Sequence, residues 1–165
     1  MNLRTGETQG GVRLSPMRGT GFEHQINRTY RESGTFQWVR ELVTNAIEAS
    51  ATRIEFGIEW QAVTSNGIYR RTIADNGHGM TADQVVTFFK TYGGGGKPIG
   101  DVHENFGVGA KTSLLPWNTH GIVVVSWKDG DSSMIRVRRD PESGEYGLDM
   151  IDVEDPDSGV ISLDQ

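Results

Sequence analysis

Three short stretches hold side chains that could do chemistry together. Glu41 and Asn45 stand four apart in Glu41-Leu42-Val43-Thr44-Asn45-Ala46-Ile47-Glu48-Ala49. Asp75 leads Asp75-Asn76-Gly77-His78-Gly79-Met80, and Phe106-Gly107-Val108-Gly109-Ala110-Lys111-Thr112-Ser113 is a glycine-rich run reaching a lysine. A water attacking phosphorus must lose a proton, and a carboxylate such as Glu41 can accept it. A neutral amide oxygen, as on Asn45, ligates magnesium without adding charge, because magnesium takes few protein oxygens beside waters and phosphates. A carboxylate at a strand end accepts the exocyclic amine of adenine, where guanine offers an acceptor. Gly77 and Gly79 allow backbone to approach a ring closely. Glycines entering a helix aim several N–H groups at one spot, where the helix dipole favours an anion, and Lys111 adds a cation for a terminal phosphate. Each stretch also has a plain reading: the polar face of a helix, an Asp-Asn-Gly turn, a loop before a helix.

These residues need elements to hold them. Ser33-Gly34-Thr35 offers a start for a long helix from Phe36 to Ser50, with Val39, Leu42, Val43, Ala46, Ile47 and Ser50 as its apolar stripe. Glu41, Asn45 and Glu48 fall on another face, at i, i+4 and i+7. Arg53 to Trp60 alternates as a half-buried strand. Ser65-Asn66-Gly67 is a turn signal that returns the chain as a strand from Ile68 to Asp75. Thr81-Ala82-Asp83-Gln84 is a capping box for a helix to about Tyr92. Gly107 to Leu115 reads as a short helix stopped by Pro116. Upstream, Phe22 to Arg31 suits another short helix.

Downstream, Gly121 to Trp127, Ser133 to Arg139 and Tyr146 to Val153 read as a meander of strands. Asp-Gly-Asp and Asp-Pro-Glu-Ser-Gly turns separate them. The expected fold class is an α/β (α+β) two-layer sandwich: a mixed, mainly antiparallel sheet with helices on one face. Residues 1–21, without apolar period, read as a flexible N-terminal arm, and 22–165 as the domain proper.

Composition narrows the functions. The chain has 165 residues, enough for one domain with a real core. It has no cysteine, which excludes disulfides, thiolate metal sites and a cysteine nucleophile and suits a reducing, cytoplasmic setting. The longest aliphatic run, Ile122 to Val125, is too short to span a bilayer, and no apolar signal-peptide core is present. A net charge of -6 argues against nucleic-acid binding by bulk electrostatics. His24, His78, His103 and His120 lack metal-ligand spacing, and no zinc is assigned to them. Arg136, Arg138 and Arg139 could form a basic patch, with a solvated strand face the expected reading.

In their order the three stretches resemble the GHKL ATPase superfamily of gyrase, ninety-kilodalton heat-shock chaperones, histidine kinases and MutL. The resemblance covers about Thr35 to Val125. It implies the same two-layer fold, binding of ATP with magnesium, and slow hydrolysis to ADP and phosphate. It implies Glu41 as general base, Asn45 as magnesium ligand and Asp75 as the adenine contact. Gly79 would line the site beneath the base, with Gly77 and Met80 beside it. Gly107, Val108, Gly109, Lys111 and Thr112 would form the phosphate box.

Many histidine kinases carry an amide where Glu41 stands, so Glu41 favours hydrolysis, although anti-sigma-factor kinases share a glutamate there. A protein serine/threonine kinase of that type, a non-catalytic ATP-sensing module and a domain without ligand are the alternatives. The resemblance further implies that Tyr92 to Asn105, with Gly93 to Gly96, is a lid over the phosphates. Relatives commonly pair this domain with a second one that supplies a lysine and drives dimerisation. The expected partners are therefore ATP, a second copy on ATP binding, and a partner domain or protein. The absence of that second domain makes the front part of a longer protein one reading of the chain.

The sequence departs from the pattern in places. Glu48 stands where many relatives have Asp, and the first glycine of the Gly-x-x-Gly-x-Gly box falls on Glu104, with Gly100 the possible substitute. The lysine after the box resembles microrchidia-type ATPases. The usual last strand with its Gly-Thr pair has only a poor match at Gly159-Val160-Ile161. A Walker A loop is excluded, since Asn105 and Ala110 stand where it needs glycine.

Overall fold

A computed structural model describes residues 14–17, 22–91, 108–118, 120–149 and 161–162. Chain order gives β1 (Leu14–Pro16), α1 (Phe22–Glu32), α2 (Gln37–Glu48), β2 (Ile54–Ile58), α3 (Trp60–Asn66) and β3 (Arg71–Asp75). There follow α4 (Ala82–Lys90), α5 (Val108–Leu114), β4 (Ile122–Lys128), β5 (Asp131–Arg139), β6 (Tyr146–Asp149) and β7 (Ile161–Ser162). The main sheet runs β1-β6-β5-β4, with β7 also on β5, and β2-β3 forms a separate two-stranded sheet. All described ladders are antiparallel.

The core lies between the helices and one face of the main sheet. Ile26 of α1, Val85 and Phe89 of α4, and Leu115 just past α5 meet Ile135 and Val137 of β5 and Tyr146 and Leu148 of β6. Met17, just beyond β1, closes the same cluster. Each fully buried aliphatic side chain contributes about 1.5–3 kcal/mol. The other face of β4 leaves Val123, Val125 and Trp127 exposed. Among the described residues no helix is long and apolar enough to cross a membrane.

Local signals set several boundaries. Thr81 accepts from the Gln84 backbone while its own N–H donates to the Gln84 side chain, so the capping box forms and α4 starts where expected. The Asp140 turn forms as well: the backbone N–H groups of Ser143 and Glu142 donate to its carboxylate and hold it below its usual pKa.

Three expectations change. The strand expected to run on to Trp60 ends at Ile58, and α3 fills the space expected to hold a simple reversal. Gly67, at φ 66, closes that helix rather than a hairpin, its N–H bonding the Val63 carbonyl. Glycine past a helix end and glycine in a tight turn need the same left-handed backbone. The half-buried apolar face of β2 is also corrected, because Phe56 is 56% and Ile58 38% exposed on a ladder that stands apart from the main sheet. Finally, within the stretch read as an arm, Leu14–Pro16 pairs with Gly147 to Asp149 and Met17 is buried.

Arg136 and Arg138 form neither a basic patch nor a purely solvated face. Both pair with Asp149, which is 1% exposed, through Arg138 Nε at 2.5 Å and Arg136 Nη1 at 3.3 Å. Arg139 is exposed.

Candidate functional site

Helix α2 presents Glu41 and Asn45 one turn apart, both half-buried. The Gln37 side-chain amide, one turn earlier, donates to Glu41 Oε1 at 2.5 Å. The other carboxylate oxygen lies on the first turn of α5: a Cβ built at Gly109 would overlap Glu41 Oε2. A side chain at 109 would push the Glu41 carboxylate aside, so glycine there lets the acid rest on α5, and α2 and α5 pack together. Ala110, Lys111, Thr112 and Ser113 are buried, and the Ser113 hydroxyl donates to the Gly109 carbonyl at 2.6 Å. Thr112 bonds the same carbonyl at 3.2 Å. Gly107 and the expected lid from Tyr92 to Asn105 lie outside the described residues. Val108 is described as the first residue of α5.

The Asp75 stretch is fastened to the end of the same α2. The His78 N–H donates to the carbonyl of Ala49, the C-cap of α2, at 3.0 Å. A Cβ on Gly77 would meet Ala49 Cβ at 2.7 Å. Asn76 ties this turn to the loop after α2. Its Oδ1 accepts from Thr52 and Arg53 N–H, its Nδ2 donates to Thr52 Oγ1, and its own N–H donates to the Arg53 carbonyl. Exposed Asp75 accepts the Gly77 N–H on Oδ1 at 2.8 Å. Gly79 sits at φ 63 with its Cα against the Trp127 carbonyl, where a side chain would collide. The half-buried Met80 donates its N–H to Ser126 Oγ at 2.7 Å. Ser133, across the ladder from Ser126, is buried and its hydroxyl has no partner among the described residues.

The three motifs therefore meet around α2, with Glu41 against the glycine box and Asp75 held by the exit of the helix. Lys111 takes a different direction from the one expected. The residue is 2% exposed, and its ammonium donates to the Thr91 carbonyl at 2.5 Å and lies 4.7 Å from the Phe88 ring centre.

Burial lowers the Lys111 pKa from 10.5 to about 8. Below about 8 the lysine is charged in both folded and unfolded chains; between about 8 and 10.5 only the unfolded chain keeps the proton, so stability rises with pH across that window. Relative to Lys111→Met, the wild-type chain should gain up to about 1.4 kcal/mol per pH unit there. Urea unfolding of both proteins across that range checks it, and parallel curves would refute the burial cost.

A magnesium ion brought by nucleotide phosphates suits this donor set. Asn45 offers one neutral oxygen beside Glu41, and its amide has no hydrogen-bond partner among the described residues. Among those residues no cluster of three acids or histidines could cage a cation by itself. Sequence reasoning missed Gln37, Asn76 and Ser126. Gln37 was findable, since an amide four residues before an acid faces it on a helix. Ser126 carried a fainter signal, a hydroxyl ending the inward row Ile122, Val124 of β4.

The family model for histidine kinase-, DNA gyrase B-, and HSP90-like ATPases matches residues 34–158, well over half of the chain. No curated protein matches the chain.

Proposed function

We propose, for a chain that belongs to the histidine kinase-, DNA gyrase B- and HSP90-like ATPase family, that it binds ATP with magnesium and slowly hydrolyses it to ADP and phosphate. Membership supports ATP binding in general. The seating of the Glu41 carboxylate on Gly109 carries the finer reading, because it puts a proton acceptor beside the glycine box where phosphates would lie. Gln37 occupies Oε1 and fixes the carboxylate, leaving Oε2 on the α5 side to take the proton of the attacking water. Asn45 would ligate the magnesium ion, which when bound would neutralise charge developing on the phosphates.

Asp75 would accept the adenine amine, with Gly77, Gly79 and Met80 lining the base. The backbone from Gly107 to Thr112 would meet the phosphates. Lys111 would secure α5 against the end of α4. Closure of the Tyr92 to Asn105 segment would gate a conformational or dimerisation change and limit the rate.

Heat unfolding tests the binding reading. ATP with magnesium should raise Tm in a concentration-dependent way, by mass action on the folded state. Asp75→Asn should cost on the order of 1–3 kcal/mol by leaving the adenine amine mispaired, and so lower ATP affinity about tenfold or more. Calorimetric titration measures it. Unchanged affinity would remove Asp75 from the site, and no shift of Tm in the parent protein would remove ATP.

A further inference from the structure

The inward row of β4 runs Ile122, Val124, Ser126, two aliphatics and then a hydroxyl. Burying a hydroxyl costs free energy unless it is bonded. Ser126, 7% exposed, is bonded to the Met80 N–H at 2.7 Å, across 46 residues of sequence. One residue along β4, the Trp127 carbonyl lies against Gly79, which needs both its missing side chain and its φ of 63 to fit there. A third tie joins the same region, Lys128 Nζ to the Gln84 side chain of the capping box at 3.2 Å.

The Asp75–Met80 turn is thus suspended between two supports. Asn76 and His78 fasten its first half to the loop after α2, and β4 fastens its second half. Hydrogen bonds in the first half use Ala49, Thr52 and Arg53, on the side of α2. Among the described residues, the side-chain hydrogen bonds at Glu41, Gln37 and Gly109 stay within α2 and α5 and do not reach β4. The contacts that set the Gly79–Met80 backbone relative to Asp75 are therefore separate from those that hold the proposed base.

We infer that Ser126 is a positioning residue for purine recognition: its hydroxyl fixes the Met80 amide and so sets the spacing between the Asp75 carboxylate and the Gly79 backbone that a purine must fit. It acts through the turn and touches no substrate atom. The inference rests on the proposed ATP site. One neutral hydrogen bond is lost in Ser126→Ala, so ATP affinity should fall about three- to tenfold. Selectivity for ATP over GTP should narrow, because a loosened turn no longer holds the one contact that tells the purines apart. Turnover at saturating ATP should stay within about twofold, since a general base acts in the chemical step rather than in base binding. Ser126→Thr keeps the oxygen and should restore both affinity and selectivity.

Calorimetric titration with magnesium-ATP and magnesium-GTP, with steady-state turnover, reads all of these in wild type, Ser126→Ala, Ser126→Thr and Asp75→Asn. If the alanine variant does not fold, Ser126→Cys keeps the volume, weakens the acceptor and takes its place. Weaker ATP binding with narrowed selectivity, restored by threonine, supports the inference. If Asp75→Asn weakens binding while removal of the Ser126 hydroxyl changes neither affinity nor selectivity, the inference alone falls. Lost turnover with intact affinity also overturns it, as does a threonine variant as weak as alanine. A wild-type chain without affinity for ATP overturns both this inference and the site on which it rests.

Discussion

Glu41→Ala protein is expected to bind ATP about as tightly as the parent and to hydrolyse it roughly 10²–10⁴ times more slowly, the usual share of a general base. The expectation follows from where the side chain lies. Its carboxylate is held by Gln37 on one oxygen and rests on Gly109 with the other, at the entry to α5. A group so placed would act on the water attacking a phosphate and contribute little to holding the base, for which Asp75 is the proposed contact. Removing it should therefore lower turnover and leave affinity nearly intact, the pattern of an interaction made only in the transition state. Phosphate release at saturating ATP and calorimetric affinity measure the two terms separately. A variant that hydrolyses at the parental rate would eliminate Glu41 as base, and one that loses ATP altogether would place it in binding.

Asp149→Ala should be strongly destabilising although it lies outside the site. Asp149 is 1% exposed and holds Arg138 at 2.5 Å and Arg136 at 3.3 Å. Breaking a buried ion pair by removing one partner costs about 3–5 kcal/mol, because the remaining charge is left uncompensated. The low end applies here. Arg136 is 43% exposed and can turn to water, and Arg138 keeps Asp140 at 3.8 Å. A loss of about 3 kcal/mol lowers Tm by about 6–12 °C for a chain of this size. Arg136→Ala leaves Asp149 paired with Arg138 and gives up the bond to the His120 carbonyl, so it should cost less, about 1–2 kcal/mol. Heat or urea unfolding of the two variants measures the contrast. Equal, small losses would mean that Asp149 does not organise the β5–β6 face.

What could be read from the sequence was what local chemistry fixes. The Thr81 capping box, the spacing of Glu41 and Asn45 on one helix, and the turn at Asp140 depend on neighbours within a few residues, and each forms. Helix α3 was hidden because glycine after Asn66 serves a hairpin and a helix end equally. Strand β1 was hidden because three residues are too few to show a period, and its partner β6 lies far along the chain. Within the site, the residue types were legible and the contacts between them were not. No spacing rule brings Gly109 onto Glu41 or Ser126 onto Met80, since both contacts arise when elements distant in sequence pack. Lys111 shows the same limit. A lysine after glycines suggests a phosphate, while the packing of Phe88 and Thr91 around it turns its ammonium inward.

A single-turnover experiment with ATP labelled on its terminal phosphate tests the proposed hydrolysis most directly. Excess protein and magnesium are mixed with limiting labelled ATP, and the label is followed in free phosphate and on protein. The label should appear slowly as free phosphate, only in the presence of magnesium, at a rate that falls by the Glu41→Ala factor, with none retained on the chain or on an added protein. Label transferred to protein would make the domain a kinase, and ATP bound but unchanged over many hours would make it a sensing module; either result would contradict hydrolysis at this site.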